Sequence, residues 1–362
     1  MSASSSVQHL VEPFSLGKSQ LANRVVMSPM TRCRAIGNLP NALMAEYYSQ
    51  RAEAGLIVTE GTSPSPNGLG YARIPGCFDA AQVAGWRLVT SAVHDAGGKI
   101  FVQLMHTGRV SNALNMPPGA QVVAPSAVAL TGSIWTDSAQ QQPYAVPRAM
   151  LLAEVREAIV EYTRSARLAI EAGFDGVELH GANGYLIDQF FNTATNQRTD
   201  EYGGSVENRI RFAVEVARSV GEAIGFDRVG MRLSPYGTFN DMRPDPQMDE
   251  MYERLALELH RLGLVYLHVI NHGDPSSPEV RQSVRRAIRN TFKGALILAG
   301  RYDVAGAERE LAEGNADLIG FGGAFLSNPR LVSKIRAGSP FIPSNPATYY
   351  TPGAEGYTDY PV

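Results

Sequence analysis

The sequence predicts an α/β protein that folds as a (β/α)8 barrel, or TIM barrel, with an N-terminal hairpin and a cap inserted after the third strand. Short apolar runs of strand length alternate with longer amphipathic runs of helical period along most of the chain. Repeated strand–helix units imply parallel strands joined by right-handed crossovers. Eight such units can be counted, and this number matches a closed barrel better than an open sheet.

Eight short apolar segments are predicted as barrel strands. In chain order they are Arg24–Met27, Leu56–Thr59, Ile100–Leu104, Val177–Leu179, Val229–Leu233, Val265–Ile270, Leu296–Leu298 and Leu318–Phe321. The amphipathic runs that follow them are predicted as the helices Asn41–Ala54, Gln82–Ala96, Leu152–Ala172, Val206–Ile224, Met248–Leu262, Glu279–Arg289, Val304–Glu313 and about Pro329–Arg336. Gly55, Gly97 and Gly173 lie just beyond three of these helices, where glycine commonly ends a helix.

Two regions depart from the repeating unit. Residues 7–22 hold a turn at Gly17-Lys18 between short apolar runs, which predicts a hairpin that plugs the bottom of the barrel. Residues 109–150 contain five prolines and only scattered apolar residues, and they follow the third strand. We expect them to lie over the catalytic face as a cap. Because no linker separates a second domain, residues 1–362 are predicted to form one domain.

Charge and composition argue against several classes of protein. The 362 residues include 32 Lys and Arg against 35 Asp and Glu, whereas nucleic-acid binders and polybasic membrane-surface proteins carry a positive excess. The longest apolar runs, such as Ala295–Ala299 and Leu264–Ile270, are too short to span a membrane. Cys33 and Cys77 give no disulfide framework and no zinc site. Met1–His9 is Ser-rich and lacks a signal core, so we expect a frayed leader on a cytoplasmic protein.

Small residues follow the last two predicted strands, where barrels of this kind frequently bind a phosphate. Gly300 ends the seventh strand, and Gly322 and Gly323 end the eighth. Bare backbone there lets N–H groups approach an anion, and Arg301 adds a positive charge. The alternative is that these glycines form ordinary turns before helices.

Gln103 and Arg232 are predicted to project into the same barrel mouth from two different strands. An amide can pair with both an acceptor and an N–H on the edge of a heterocycle, and a guanidinium can stabilise negative charge on that ring. A reduced flavin needs both interactions. The alternative is that Arg232 pairs with a carboxylate inside the barrel and that Gln103 bonds to backbone.

The segment from His180 to Tyr185 carries the most chemical information. His180 and Asn183 are hydrogen-bond donors three residues apart, so they can converge on one carbonyl oxygen and polarise it. Tyr185 can then protonate the adjacent carbon. The alternatives are a structural histidine or a metal ligand, although no second histidine or carboxylate has ligand spacing nearby.

Five ordered stretches share their pattern with a known family. They are Leu21–Arg32 (LANRVVMSPMTR), Gln103–Arg109 (QLMHTGR), Asp175–Leu186 (DGVELHGANGYL), Asp200–Arg209 (DEYGGSVENR) and Gly353–Tyr360 (GAEGYTDY). These stretches resemble the Old Yellow Enzyme family of FMN-dependent ene-reductases. The resemblance extends from about Pro13 to the C-terminus. Thr31 in place of a cysteine, and the pair His180 and Asn183, resemble the classical subgroup.

The resemblance implies roles for named residues. Those matching FMN contacts are Pro29, Met30, Thr31, Gly61, Gln103 and Arg232, in addition to the phosphate candidates Gly300, Arg301, Gly322 and Gly323. His180 and Asn183 match the pair that holds the substrate oxygen, and Tyr185 matches the proton donor. Tyr71 and Tyr350 match aromatic walls of the substrate pocket. Cys33, two residues past Thr31, is interpreted instead as a buried apolar thiol.

Two positions depart from the family pattern. Met105 stands where the family usually has an aromatic residue, so we expect a reshaped substrate pocket. Gly323 stands where the family usually has an arginine that reaches the FMN phosphate. Arg301 occupies a position that is usually small, and our hypothesis is that it replaces the missing charge.

The implied activity is reduction of an α,β-unsaturated carbonyl compound or a nitroalkene by a ping-pong mechanism. NAD(P)H reduces tightly but noncovalently bound FMN, and hydride then passes from flavin N5 to the alkene while Tyr185 supplies the proton. The alternatives are a nitroester or nitroaromatic reductase with the same flavin site and, from another class, a noncatalytic ligand-binding barrel. The expected partners are small molecules, with neither nucleic acid nor membrane, and the chain is expected to be a monomer or a homodimer.

Overall fold

Eight parallel strands close into a barrel in the computed structural model, which describes residues 7–272 and 279–362. The strands are β1 (Val25–Met27), β2 (Leu56–Thr62), β3 (Ile100–Leu104), β4 (Gly176–Gly181), β5 (Val229–Leu233), β6 (Tyr266–Ile270), β7 (Ala295–Ala299) and β8 (Leu318–Phe321). Each strand pairs with its neighbours in the chain order of the barrel, and β8 pairs with β1 to close it. The predicted (β/α)8 fold is confirmed.

Helices follow the strands in the predicted alternation. They are α1 (Ala42–Ser49), α2 (Ala80–Asp95), α3 (Leu152–Glu171), α4 (Leu186–Phe191), α5 (Val206–Ile224), α6 (Met248–Leu262), α7 (Gln282–Thr291), α8 (Val304–Ala312), α9 (Gly323–Ser327) and α10 (Leu331–Ala337). None of the helices within residues 7–272 and 279–362 combines the length and the apolar character that crossing a membrane requires.

Some predicted boundaries were wrong. Helix α1 ends at Ser49 rather than Ala54, because the Arg51 side chain turns back and donates to Tyr47 O at 2.8 Å. Strand β2 continues past Thr59 to Thr62, with a register shift against β3 that brings Gly61 opposite Gln103. The short helices α4 and α9 were missed, since their sequences directly follow glycine-containing strand ends that resemble loops.

The predicted hairpin closes the N-terminal end of the barrel. Phe14–Leu16 and Ser19–Leu21 pair in antiparallel fashion around Gly17, whose φ is +56°. A Cβ at Gly17 would lie 2.7 Å from Asp227 O, so the turn requires glycine for both conformation and space. Leu16 and Leu21 are buried against apolar side chains of the strands.

The prediction that Met1–His9 is frayed is wrong for the last residues of this segment. Backbone N–H groups of Gln8, His9 and Leu10 all donate to the Glu308 carboxylate, and His9–Val11 forms a 3-10 turn. Residues 1–6 of this predicted leader lie outside the described residues.

The barrel interior changes from apolar to polar toward the C-terminal ends of the strands. Val26, Phe101 and Tyr266 pack with the hairpin leucines. Two residues further along the chain, on the same face, are Gln103 in β3, His268 in β6 and Ser28, which directly follows β1. The fold therefore collects buried polar groups at the end of the barrel where chemistry is expected.

The predicted cap and the C-terminal segment both reach this polar end. Within residues 109–150, Ser133–Thr136 pairs with Gln140–Pro143, and Val123–Ala124 pairs with Arg148–Ala149. Residues 346–358 are held by the buried side chains of Arg32, Arg34 and Arg51. The Arg32 guanidinium also lies over the rings of Tyr47 and Tyr357 at 5.4 and 5.2 Å from their centroids.

We expect Arg34→Met to destabilise the protein by about 3 kcal/mol or more, because one buried and three partly buried carbonyls would lose their donor. Arg34 donates to Thr348 O at 2.9 Å, Tyr349 O at 2.7 Å, Gly353 O at 3.2 Å and Glu355 O at 2.9 Å. Urea unfolding measures the loss, and limited proteolysis should show early cleavage near Tyr349. Arg34→Lys should lose less, since it keeps the charge without the planar fork. Equal stability of Arg34→Met and the parent protein would contradict this account.

Candidate active site

A cavity of about 1010 Å³ opens at the C-terminal ends of the strands, beneath the cap and the C-terminal segment. Eleven of the residues predicted for the site line it: Pro29, Thr31, Gly61, Tyr71, Gln103, Met105, His180, Asn183, Tyr185, Arg232 and Tyr350. They come from strands and loops across the chain, so the closure of the barrel is what brings them together. Met30, Gly300, Arg301, Gly322 and Gly323 are not among the lining residues.

Gln103 and Arg232 provide hydrogen-bonding groups within this cavity. Gln103 Nε2 donates to Glu178 Oε1 at 2.8 Å, so the amide is held by a buried carboxylate rather than by backbone. Arg232 is 4% exposed and its Nε has no hydrogen-bond partner among the described residues. Burial lowers the pKa of Arg232, and the Glu178 carboxylate acts in the opposite direction.

These groups fit the FMN that the resemblance implies. Buried polar atoms normally have partners, and Arg232 Nε and His180 Nδ1 have none among the described residues. Gly61 lies at the same wall, and a Cβ there would lie 2.4 Å from Met105 Sδ, so the Met105 side chain packs directly against this glycine. An acceptor on the edge of a flat heterocycle would give Arg232 Nε a partner, and Pro29 and Thr31, which follow β1, line the same cavity.

The candidate phosphate residues lie outside the lining of the cavity. Gly300 has φ of +138°, and a Cβ there would lie 2.0 Å from Asn271 O, so close chain packing by itself explains this glycine. A Cβ built on Gly322 would have Met30 Sδ as its nearest neighbour, at 3.6 Å. A Cβ built on Gly323 would have no neighbour within 4 Å. The backbone at Gly322 and Gly323 is thus open to the approach of an anion.

Three hydrogen bonds hold Asn183 and orient its side-chain amide. Its backbone N–H donates to Ser234 Oγ at 2.8 Å, and its carbonyl accepts from Asn240 Nδ2 at 2.8 Å. Its φ is +60°, a conformation that asparagine tolerates better than most residues. His272 Nε2 lies 2.9 Å from Asn183 Oδ1, and an acceptor oxygen there requires that His272 donate. The Asn183 NH2 group therefore remains available as a donor to the cavity.

His180 and Tyr185 are held next to each other. Their rings meet edge to face with centroids 4.9 Å apart, and the Tyr185 hydroxyl lies 3.1 Å from that of Tyr71. Burial lowers the pKa of His180 well below its ordinary value, so the imidazole is neutral near pH 7. Burial raises the pKa of Tyr185 to about 12, so the phenol keeps its proton.

Sequence reasoning missed several residues of the site. The cap contributes Ile134, Trp135 and Tyr144, and the loop after β5 contributes Phe239 and Asn240. Aromatic residues in an otherwise polar insertion were a signal for Trp135 and Tyr144. Cys33 is buried, as predicted, and burial raises its pKa to about 12, but it also lines the cavity.

Met105 shapes the wall near Tyr185. Its side chain is 1% exposed and packs with Leu69, Val110, Leu130 and Tyr185. A thioether fills this position without a polar group or a fixed ring plane. The wall there is therefore apolar and adaptable.

Comparisons with known proteins agree with the fold. Residues 9–341 match the NADH:flavin oxidoreductase / NADH oxidase family. A probable flavin mononucleotide-dependent alkene reductase of Leishmania infantum is 44% identical over 365 residues, which cover 99% of each chain. The structure of morphinone reductase superimposes with a TM-score of 0.94 at 41% identity, covering 99% of this chain and 97% of the other. An old yellow enzyme homologue from Zymomonas mobilis gives a TM-score of 0.94 at 40% identity, covering 98% and 100%.

Proposed function

Since this chain belongs to the NADH:flavin oxidoreductase / NADH oxidase family, the family of the Old Yellow Enzyme, we propose that His180, Asn183 and Tyr185 are the residues with which it reduces activated carbon–carbon double bonds. It is an FMN-dependent oxidoreductase that uses NAD(P)H as reductant. One observation carries the proposal for these residues: two oriented donors and a protonated phenol line the same cavity as Gln103 and Arg232.

FMN, when bound, supplies the hydride that reduces the alkene. Gln103 and Arg232 would hold its ring, with Arg232 stabilising the negative charge that reduction adds. Pro29, Thr31 and Gly61 would contact the ring from the ends of β1 and β2. Met30 does not line the cavity and lies near Gly322, so its contact with FMN would be on the phosphate side. The protein thus contributes orientation and electrostatics.

The substrate end of the cavity works through three side chains. His180, neutral, and the Asn183 NH2 group donate to the oxygen of an unsaturated carbonyl or nitro group, which polarises the conjugated system. Tyr185 donates its proton to the α-carbon. Tyr71 orients the Tyr185 hydroxyl, and the rings of Tyr71 and Tyr350 form walls around the substrate. Met105 contributes an apolar wall.

The substrate class is tested by separating the two half-reactions. Anaerobic flavin reduction with NADH and with NADPH gives the nicotinamide preference. A panel of enones, nitroalkenes, nitroaromatics and nitrate esters is then offered to the reduced enzyme. Saturated carbonyl products support the proposal, whereas turnover confined to nitrate esters or nitroaromatics would favour the alternative reductase.

We propose that Arg301 supplies the phosphate charge missing at Gly323, together with open backbone at Gly322 and Gly323. A charge-assisted contact is worth about 1.5–3 kcal/mol, so Arg301→Ala should weaken FMN binding about ten- to a hundredfold. Titration of apoprotein with FMN, followed by flavin fluorescence, measures the change. Arg261→Ala is the matched control, because Arg261 lies at the C-terminal end of α6, near the opposite end of the barrel. Parent-like affinity in Arg301→Ala would refute the replacement.

We propose a cytoplasmic enzyme of one domain that acts on small molecules as a monomer or homodimer. Two free, buried cysteines, Cys33 and Cys77, support a reducing compartment. One large apolar cluster extends through the barrel and its helices, which supports a single domain. Sedimentation of the holoenzyme determines the oligomeric state.

A further inference from the structure

Glu178 is a buried carboxylate that the proposed mechanism does not use. It lies on β4 two residues before His180, so both side chains are on the same face of the strand. Its exposure is 0%. A buried ionised carboxylate is costly unless hydrogen bonds and opposite charge compensate it, so its surroundings need an explanation.

Three side chains donate to Glu178. Gln103 Nε2 lies 2.8 Å from Oε1, while Tyr266 OH at 3.0 Å and His268 Nδ1 at 2.8 Å both reach Oε2. Tyr266 and His268 are on β6 and are themselves fully buried. The carboxylate is therefore fixed from two sides of the barrel by β3 and β6.

The charge state of this layer follows from these contacts. Burial acts to raise the pKa of Glu178, but His268, Arg232 and Gln103 together bring the pKa below its ordinary value. Burial lowers the pKa of His268. Glu178 is thus anionic. It lies opposite Gly230 on β5, two residues before Arg232, so the Arg232 guanidinium is a permanent cation on the neighbouring strand whose charge the carboxylate offsets.

We infer that Glu178 is a positioning residue of the flavin site, which orients the Gln103 amide and, by offsetting the charge of Arg232, lowers the reduction potential of bound FMN. This inference rests on the proposed placement of Gln103 and Arg232 against the ring. With one N–H of Gln103 committed to Glu178, the amide oxygen and the second N–H are presented in one orientation. Reduction adds negative charge to the flavin, which Arg232 attracts and Glu178 repels.

The test is the midpoint potential of the holoenzyme carrying Glu178→Gln, measured by anaerobic titration against a redox dye. The glutamine has nearly the same shape and can still accept from Gln103, but it carries no charge. We expect the equilibrium for two-electron reduction to shift about tenfold toward reduced FMN, which corresponds to a potential about 30 mV more positive. By the same thermodynamic cycle, the Kd of oxidised FMN divided by the Kd of reduced FMN should rise about tenfold.

Three further variants separate charge from structure. Tyr266→Phe removes one hydrogen bond to Glu178 but no charge, so its potential should stay near the parent value. Glu178→Asp keeps the charge but sets it back by one methylene, so its potential should lie between those of the parent protein and of Glu178→Gln. Arg232→Gln should make the potential more negative.

The possible failures are distinguishable. A parent-like potential in Glu178→Gln, with Arg232→Gln still shifting it, would overturn the inference and leave the proposed function intact. No shift in Arg232→Gln, or no FMN in the parent protein, would overturn the proposed placement instead. If Glu178→Gln does not fold, Glu178→Asp decides: its longer carboxylate–guanidinium separation should move the potential measurably positive, and no movement counts against the inference.

Discussion

Replacing Tyr185 with phenylalanine is expected to slow alkene reduction about a hundredfold or more while leaving reduction of the enzyme by NAD(P)H unchanged. A positioned general acid typically contributes about 10²–10⁴ to a rate. The α-carbon of the alkene needs a proton, whereas hydride transfer from the nicotinamide does not. Stopped-flow absorbance of the flavin under anaerobic conditions measures each half-reaction separately.

The pH dependence of the alkene half-reaction gives a second readout. Because burial raises the pKa of Tyr185 to about 12, the acid form persists throughout neutral and moderately alkaline solution. The parent rate should therefore show no loss from deprotonation of Tyr185 below about pH 10, which is two units under that pKa. In Tyr185→Phe the remaining rate depends on protons from water.

Tyr71→Phe is the matched control for Tyr185→Phe. It removes the hydroxyl that lies 3.1 Å from that of Tyr185 but leaves the acid in place. Its effect on alkene reduction should be small, within about tenfold, because one neutral hydrogen bond is worth about 1 kcal/mol. If Tyr185→Phe slowed both half-reactions equally, Tyr185 would not be the proton donor.

The sequence predicts the barrel well because local pattern and global architecture agree. Strand β3 and helices α5 and α6 have the predicted bounds, since each is a clean apolar or amphipathic run. The end of α1 was mispredicted because a tertiary contact determines it. The Arg51 side chain binds Tyr47 O, Phe325 O and Leu326 O, and the last two are about 275 residues away in the chain.

The lining of the candidate site was predictable where its residues follow strand order, and unpredictable where distant chain segments meet. His180 and Arg232 face each other in register on β4 and β5, a relation implied by parallel strands. Trp135 and Tyr350 come to the same mouth from the cap and the C-terminal segment, and no sequence period relates them. The buried role of Glu178 was also missed, although it lies two residues from His180 on the same strand face.

Removing the donors on the substrate oxygen should have the other large effect. His180→Phe keeps an aromatic ring against Tyr185 but removes its nitrogens, and Asn183→Asp keeps the shape and the tolerance of positive φ but removes the NH2 donor. Each should lower kcat/KM for an enone about 10²–10³-fold, as loss of one oxyanion donor does. Because both donors serve one oxygen, their effects should couple, and the double variant should lose less than the product of the two.

The variants His180→Phe and Asn183→Asp also test where the nicotinamide binds. If NAD(P)H uses the substrate cavity, its carboxamide oxygen meets the same donors, so His180→Phe and Asn183→Asp should slow flavin reduction as well as alkene reduction, unlike Tyr185→Phe. His260→Phe, in the last turn of α6, is the matched control and should change neither rate. Full additivity of the two single variants would mean that His180 and Asn183 act on different atoms. Flavin reduction at the parent rate in both variants would place the nicotinamide outside their reach, because no shared oxygen would then connect the two half-reactions.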